Sequence, residues 1–147
     1  MTERLRLLVI DDDLVDRLAI RRAVEQSGVG ADLDEASDAD EARARVAQRE
    51  YACLLLDQDL PGISGIELAK QLRQSGNLVP IVFVTGRQDE EVLEQAVSAG
   101  VTDFILKTDL SPRRLGLRIN FAIRIGGAEA VSTRSLERAN AAARARD

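Results

Sequence analysis

Four short apolar runs, each closed by a polar residue, constrain this chain more than any other feature. Leu7 to Ile10 ends at Asp11, Asp12 and Asp13; Cys53 to Leu56 ends at Asp57; Ile81 to Val84 ends at Thr85; Phe104 to Leu106 ends at Lys107. Continuous rather than alternating apolar runs mark strands buried on both faces, as in a parallel sheet covered by helices. If these strands lie parallel, their carboxyl ends share one rim, where acids, a hydroxyl and an ammonium converge. Ligands of open α/β sheets bind outside those ends, at the point where strand order reverses.

The rest of the pattern fits an alternating α/β chain. Strands are predicted near 5–10, 32–36, 52–57, 80–85 and 103–107, with helices near 14–27, 38–49, 64–75, 89–99 and 112–125. The second strand is interrupted by Asp32, Asp34 and Glu35, which suits a sheet edge. Ser64 with Glu67 reads as a capping box, Ser37 with Asp40 as a weaker one, and Ser111-Pro112 as an N-cap followed by proline at the first helical position. Gly28, Gly76 and Gly100 fall where helices should stop, and Gly126-Gly127 breaks the last pattern. The division expected is one domain over 1–125 and an Ala/Arg-rich tail over 126–147, either a helical extension or disordered.

Composition narrows the function classes. Residues 1–110 carry 12 Lys and Arg against 22 Asp and Glu, whereas 111–147 carry 8 against 3. An acidic body with few aromatic residues argues against nucleic-acid binding, and the basic tail reads as a solvated helix face. No apolar stretch reaches membrane-spanning length and the first residues do not resemble a secretory signal, so a cytoplasmic protein is expected. The single cysteine, Cys53, sits inside an apolar run and reads as a small core residue.

With the first strand central and the third beside it, Asp11 and Asp12 would face Asp57. Two carboxylates about 4 Å apart repel by roughly 4 kcal/mol near a protein surface, so such a cluster calls for a cation or for protonation. Mg²⁺ suits it, because it prefers oxygen ligands and keeps waters that phosphate oxygens can replace. Asp57 is the best nucleophile candidate, since it ends a wholly apolar strand and precedes the loop-forming Gln58-Asp59-Leu60-Pro61-Gly62. An aspartate carboxylate can attack phosphorus to give an acyl phosphate, whose oxygens the Lys107 ammonium and Thr85 hydroxyl would meet. Each residue alone has a plainer explanation: helix capping for Asp11 to Asp13, turn chemistry for Thr85, a solvated strand end for Lys107. The ordered set is the specific signal.

Over about residues 5–125, this ordered set resembles the receiver domain of two-component response regulators. The resemblance implies a flavodoxin-like (βα)5 three-layer sandwich with a parallel five-stranded sheet in the order 2-1-3-4-5. It further implies that Asp57 is the phosphoacceptor and that Asp12 binds the metal directly, with Asp11 acting through water. Asp57 and the backbone carbonyl of Asp59 would complete the protein ligands. Thr85 would be the switch hydroxyl, Phe104 the switch aromatic and Lys107 the phosphate-binding lysine. As a phosphoacceptor signalling domain, the chain would not be an enzyme beyond its own phosphorylation and dephosphorylation.

The chain departs from the family pattern in three respects. Thr108 stands where receivers usually carry proline, often with a cis peptide; a non-proline cis bond costs about 2.5–4 kcal/mol, so a trans bond and a rebuilt loop are expected. Phe104 lacks a hydroxyl, so an aromatic switch would work through packing. Asp59 and Arg87, each two residues beyond Asp57 and Thr85, stand where attacking water must pass, and would form a partial gate slowing hydrolysis; otherwise they are two solvated loop charges worth under 1 kcal/mol.

The chain has no histidine, so a phosphohistidine donor must belong to a partner, a histidine kinase or a histidine phosphotransfer protein. Output would pass from Thr85 and Phe104 to the face of the fourth helix, fifth strand and fifth helix. On the last helix Leu115, Ile119 and Ala122 form a core stripe, and Leu117, Phe121 and Ile125 a second one. The second stripe suits a homodimer, a contact with the tail or burial against its own domain. The leading expectation is a single-domain receiver in a phosphorelay, the alternatives being the receiver portion of a longer signalling protein and a haloacid-dehalogenase-like phosphatase. The phosphatase reading rests on Leu54-Leu55-Leu56-Asp57-Gln58-Asp59, but that family carries its Asp-x-Asp on the first strand. A flavin-binding module of the same fold would need a Ser/Thr-rich loop after the first strand, which is missing here.

Overall fold

In a computed structural model that describes residues 4–86 and 89–126, strands and helices alternate from the first element to the last. The strands are β1 (Leu5–Ile10), β2 (Ala31–Ala36), β3 (Cys53–Leu56), β4 (Ile81–Thr85) and β5 (Asp103–Leu106). The helices are α1 (Leu14–Gln26), α2 (Ala39–Gln48), α3 (Gly65–Gln74), α4 (Glu90–Ser98) and α5, described over residues 112–126. All strand pairings are parallel, in the order β2-β1-β3-β4-β5. This is the expected flavodoxin-like three-layer sandwich.

Alternation along buried strands divides the core in two. Leu8, Ile10, Leu54, Leu56, Ile81 and Phe83 pack with apolar residues of α2, α3 and α4. Their strand neighbours Leu7, Val9, Cys53, Leu55, Val82 and Val84 pack with Ile20, Ala23 and Val24 of α1 and with Leu115, Ile119 and Ala122 of α5. Both faces are therefore apolar, which is why these runs tolerate no polar interruption. Burial also raises the Cys53 thiol to about 12, which leaves it an inert core group.

β2 is an edge strand, and its acids are paired. Asp32 meets Arg4, Asp34 accepts a hydrogen bond from the Tyr51 hydroxyl at 2.8 Å, and Glu35 meets both Arg17 and Arg21. At the start of α2 the expected Ser37–Asp40 cap is replaced by one a residue later: Asp38 accepts from the Glu41 N–H at 2.8 Å, while the Glu41 carboxylate reaches back to the Ser37 hydroxyl at 3.1 Å. The Ser64 and Ser111 caps form as expected, accepting from the N–H groups of Glu67 and Arg114 at 3.1 Å each. Gly28, Gly76 and Gly100 take positive φ, the conformation that ends a helix most cheaply in a residue without Cβ. Gly126, expected to break the last pattern, instead remains helical and lies against Pro80, where a Cβ would come within 2.7 Å of the ring. The rest of the predicted tail lies outside the described residues.

The two stripes of α5 separate cleanly. Leu115, Ile119 and Ala122 are fully buried, whereas Leu117 and Phe121 are 60% and 52% exposed and Ile125 is half-buried. Burial against their own domain thus does not account for Leu117 and Phe121 among the described residues. With Phe104 they line one groove beside β5.

Candidate functional site

The sheet register places the predicted residues on one rim. Ile10 pairs with Leu56, Leu56 with Phe83, and Thr85 with Leu106, so the next residues emerge together. The ladder continues into the site: the Asp57 N–H donates to the Ile10 carbonyl at 2.9 Å, and the Asp11 N–H donates to the Ala36 carbonyl at 3.0 Å. The backbone of both residues is therefore held by the strand ladder. Asp11 is fully buried, Asp57 is 4% exposed, and Thr85 is buried at the end of β4.

The three consecutive acids divide the work. Asp13 is the N-cap of α1, accepting from the N–H groups of Val15 at 2.8 Å and Asp16 at 3.2 Å. Asp12 is exposed. Asp11 accepts the Asp13 N–H on Oδ1 at 2.9 Å. One carboxylate oxygen each from Asp11, Asp12 and Asp57 lies within 4.8 Å of the others, a spacing a small cation can bridge.

Lys107 is the counter-charge. Its Nζ lies 2.9 Å from Asp11 Oδ2, 3.3 Å from Asp57 Oδ1 and 2.6 Å from Asp16 Oδ2. The approach to Asp11 Oδ2 is a charge contact outside hydrogen-bond geometry, so that buried oxygen has no directional partner in the protein. Burial, then the Asp11 charge, push the Asp57 carboxyl up to about 6 against the opposing pull of Lys107. Burial likewise raises Asp11. For Lys107, burial alone would lower the ammonium, but its hydrogen bond to Asp16 and the charges of Asp11 and Asp57 outweigh it and raise it above the ordinary lysine value.

The loop after β3 is rigid by construction. The Gln58 side chain accepts the Ile66 N–H at 3.0 Å, and its carbonyl accepts the Gly65 N–H at 2.9 Å. Gly65 is required there, because a Cβ would fall 2.1 Å from the Asp57 carbonyl oxygen. Beyond β5, Lys107–Asp109 forms a 3-10 turn, and no peptide bond among the described residues is cis. The bond between Lys107 and Thr108 is trans, as expected. Phe104 is 40% exposed and lines the groove with Leu117 and Phe121. Asp59 is exposed on the loop, whereas Arg87, its expected gate partner, lies outside the described residues.

Two rim residues escaped the sequence reading. Asp16, on the first turn of α1, makes the shortest contact to Lys107. Arg17 donates to the Asp11 carbonyl at 2.7 Å and pairs with Glu35, which ties the acidic loop to the edge strand.

The sequence model of the response regulator receiver domain matches residues 7–120. The chain belongs to that family. Transcriptional regulatory protein ResD of Bacillus subtilis is 34% identical over 123 residues, covering 84% of this chain and 50% of that protein. Phosphate regulon transcriptional regulatory protein PhoB of Pseudomonas aeruginosa is 35% identical over 123 residues, covering 82% and 52%. The receiver thus spans about half the length of the curated relatives it matches. A putative response regulator from Chloroflexus aurantiacus, of known crystal structure, superimposes with a TM-score of 0.76 at 26% identity, covering 83% of this chain and 99% of that one. Membership of the receiver family displaces the phosphatase and flavin-module readings. No helix among the described residues is long and apolar enough to cross a membrane.

Proposed function

We propose that Asp57 accepts a phosphoryl group from a phosphohistidine of a partner, either a histidine kinase or a histidine phosphotransfer protein. The observation that carries this reading is a nearly buried carboxylate on a strand end, 3.3 Å from a lysine ammonium and clustered with two further acids. An Asp57 oxygen attacks phosphorus, the P–N bond breaks with its electron pair returning to that ring nitrogen, and the imidazole, already protonated on its other nitrogen, leaves neutral. Lys107 balances charge on the phosphoryl oxygens, and Thr85, held by the β4 ladder, accompanies it as the switch hydroxyl. Loss of the group is hydrolysis: water attacks phosphorus and the Asp57 carboxylate leaves.

The acidic cluster fits Mg²⁺, since Asp11 Oδ2 is a buried oxygen without a directional partner and three carboxylates converge. Asp12, Asp57 and the Asp59 carbonyl would hold the ion, with Asp11 acting through water. When bound it would neutralise the acids and the transferring group. Asp59 with Arg87 would slow the entry of water.

Signal output is assigned to Thr85, Phe104 and the face formed by α4, β5 and α5, where Leu117 and Phe121 offer a surface for a second copy of the chain. The domain would run over 1–125, with 126–147 as a tail, in a cytoplasmic bacterial phosphorelay. A single-domain protein acting by contact is one arrangement. The receiver of a longer regulator is the second, and the half-length match to transcriptional regulators favours it.

The test is incubation with Mg²⁺ and a small acyl-phosphate donor. One stoichiometric, acid-stable and base-labile label is expected, absent from Asp57→Asn. Multiple-turnover phosphate release from diverse esters, without a retained label, would overturn the reading.

A further inference from the structure

The third partner of Lys107 has no place in the reading above. Asp16 lies 91 residues from Lys107 in sequence, yet their 2.6 Å contact is the shortest the ammonium makes and has hydrogen-bond geometry. Asp57, the proposed acceptor, is the most distant of its three acids at 3.3 Å.

Local structure explains why Asp16 is available. It is the third residue of α1 behind an Asp13 N-cap, the position from which an acidic side chain ordinarily reaches back to the cap N–H. Here that N–H is already taken by Asp11 Oδ1 at 2.9 Å. The Asp16 carboxylate is released from capping and turns across the rim to Lys107. Its own N–H stays bound to Asp13 at 3.2 Å, so the helix fixes where the carboxylate stands.

We infer that Asp16 is a positioning residue for Lys107: it holds the ammonium toward α1 and away from Asp57, so that a phosphoryl group arriving on Asp57 must draw the ammonium from Asp16. The inference rests on Asp57 being the phosphoacceptor. Of the three carboxylates around the ammonium, only Asp16 meets it with hydrogen-bond geometry, the other two being charge contacts. A phosphoryl oxygen on Asp57 draws the ammonium from that bond, and Asp16, at 37% side-chain exposure, is the acid that water can most readily resolvate. Part-exposed ion pairs of this kind shift an equilibrium by about two- to five-fold. Asp16 therefore lowers the affinity of the pocket for a phosphoryl group and couples its arrival to the first turn of α1.

Beryllofluoride with Mg²⁺, a tetrahedral phosphoryl mimic, tests this by calorimetry on the full chain. Asp16→Asn is expected to tighten binding about three-fold, and Asp16→Glu, which keeps the charge, to stay nearer the wild type. In a Lys107→Met background, Asp16→Asn is expected to leave affinity unchanged, because the residue acts through the lysine. The Lys107 ¹⁵Nζ resonance should also shift in Asp16→Asn, a readout independent of binding that requires only a folded protein. Unchanged affinity in Asp16→Asn, or an equal change with and without Lys107, would overturn the inference. Failure of the wild type to bind beryllofluoride would instead refute Asp57 as phosphoacceptor.

Discussion

Replacing Asp57 with asparagine should stabilise the metal-free fold, by an amount that grows with pH. Asp57 is 4% exposed, and its carboxyl is raised from 3.8 to about 6, first by burial and then by Asp11. An acid whose folded-state pKa lies above its unfolded value favours folding while protonated. That contribution is complete below the unfolded pKa and is lost as pH rises through the folded one. Linkage converts the difference into about 3 kcal/mol at most; allowing for relaxation around a partly solvated rim, about 1–3 kcal/mol is expected. Urea denaturation followed by helical circular dichroism, with a chelator present, gives both stabilities at pH 4.5 and pH 7.5. The variant should exceed the wild type by about 1–3 kcal/mol at the higher pH and by about a third of that at the lower, which already lies above the unfolded value. Using the difference cancels groups common to both, such as Glu35, whose carboxyl its arginine partners hold low. A difference independent of pH, or a wild type that gains on the variant as pH rises through 6, would refute the reasoning. Magnesium should close most of the gap by stabilising the wild type alone, and a variant stabilised equally would argue against Asp57 as a ligand.

Other expectations follow from the same geometry. Gly65→Ala should cost about 2–3 kcal/mol in denaturation, although helix propensity alone favours alanine by about 1 kcal/mol, because its Cβ would strike the Asp57 carbonyl. Phe83→Ala in the core should cost about 3–5 kcal/mol and Phe104→Ala only about 1 kcal/mol; equal costs would contradict the exposed placement of Phe104. Lys107→Met should cost about 2 kcal/mol at pH 7.5 and less at pH 5, where the acids it leaves behind can protonate; the two denaturation curves decide it.

The strands were legible because burial on both faces leaves no room for ambiguity in β1, β3 and β4. β2 was harder: its acids Asp32, Asp34 and Glu35 weaken the apolar signal, and only the three-dimensional fold brings Arg4, Tyr51, Arg17 and Arg21 to them. The cap of α2 could not be placed to the residue, since Ser37 and Asp38 are both good caps and the choice depends on where β2 stops. At the rim, residues at strand ends were legible because strand register converts chain position into proximity. Asp16 was not, for a first-turn acid behind an N-cap is ordinarily helix chemistry. Its partner across the rim depends on the Asp11 side chain having claimed the cap N–H. Leu117 and Phe121 stood out as a second stripe, but their exposure followed only from how α5 seats Leu115, Ile119 and Ala122 on the sheet.

The most direct measurement is chemical identification of the phosphorylated atom. After exposure to a small acyl-phosphate donor and Mg²⁺, borohydride reduces an aspartyl phosphate to homoserine, which peptide mass spectrometry locates. The account predicts homoserine at position 57, dependent on Mg²⁺. Homoserine at Asp11, Asp12 or Asp16, or none while phosphate is still consumed, would contradict it.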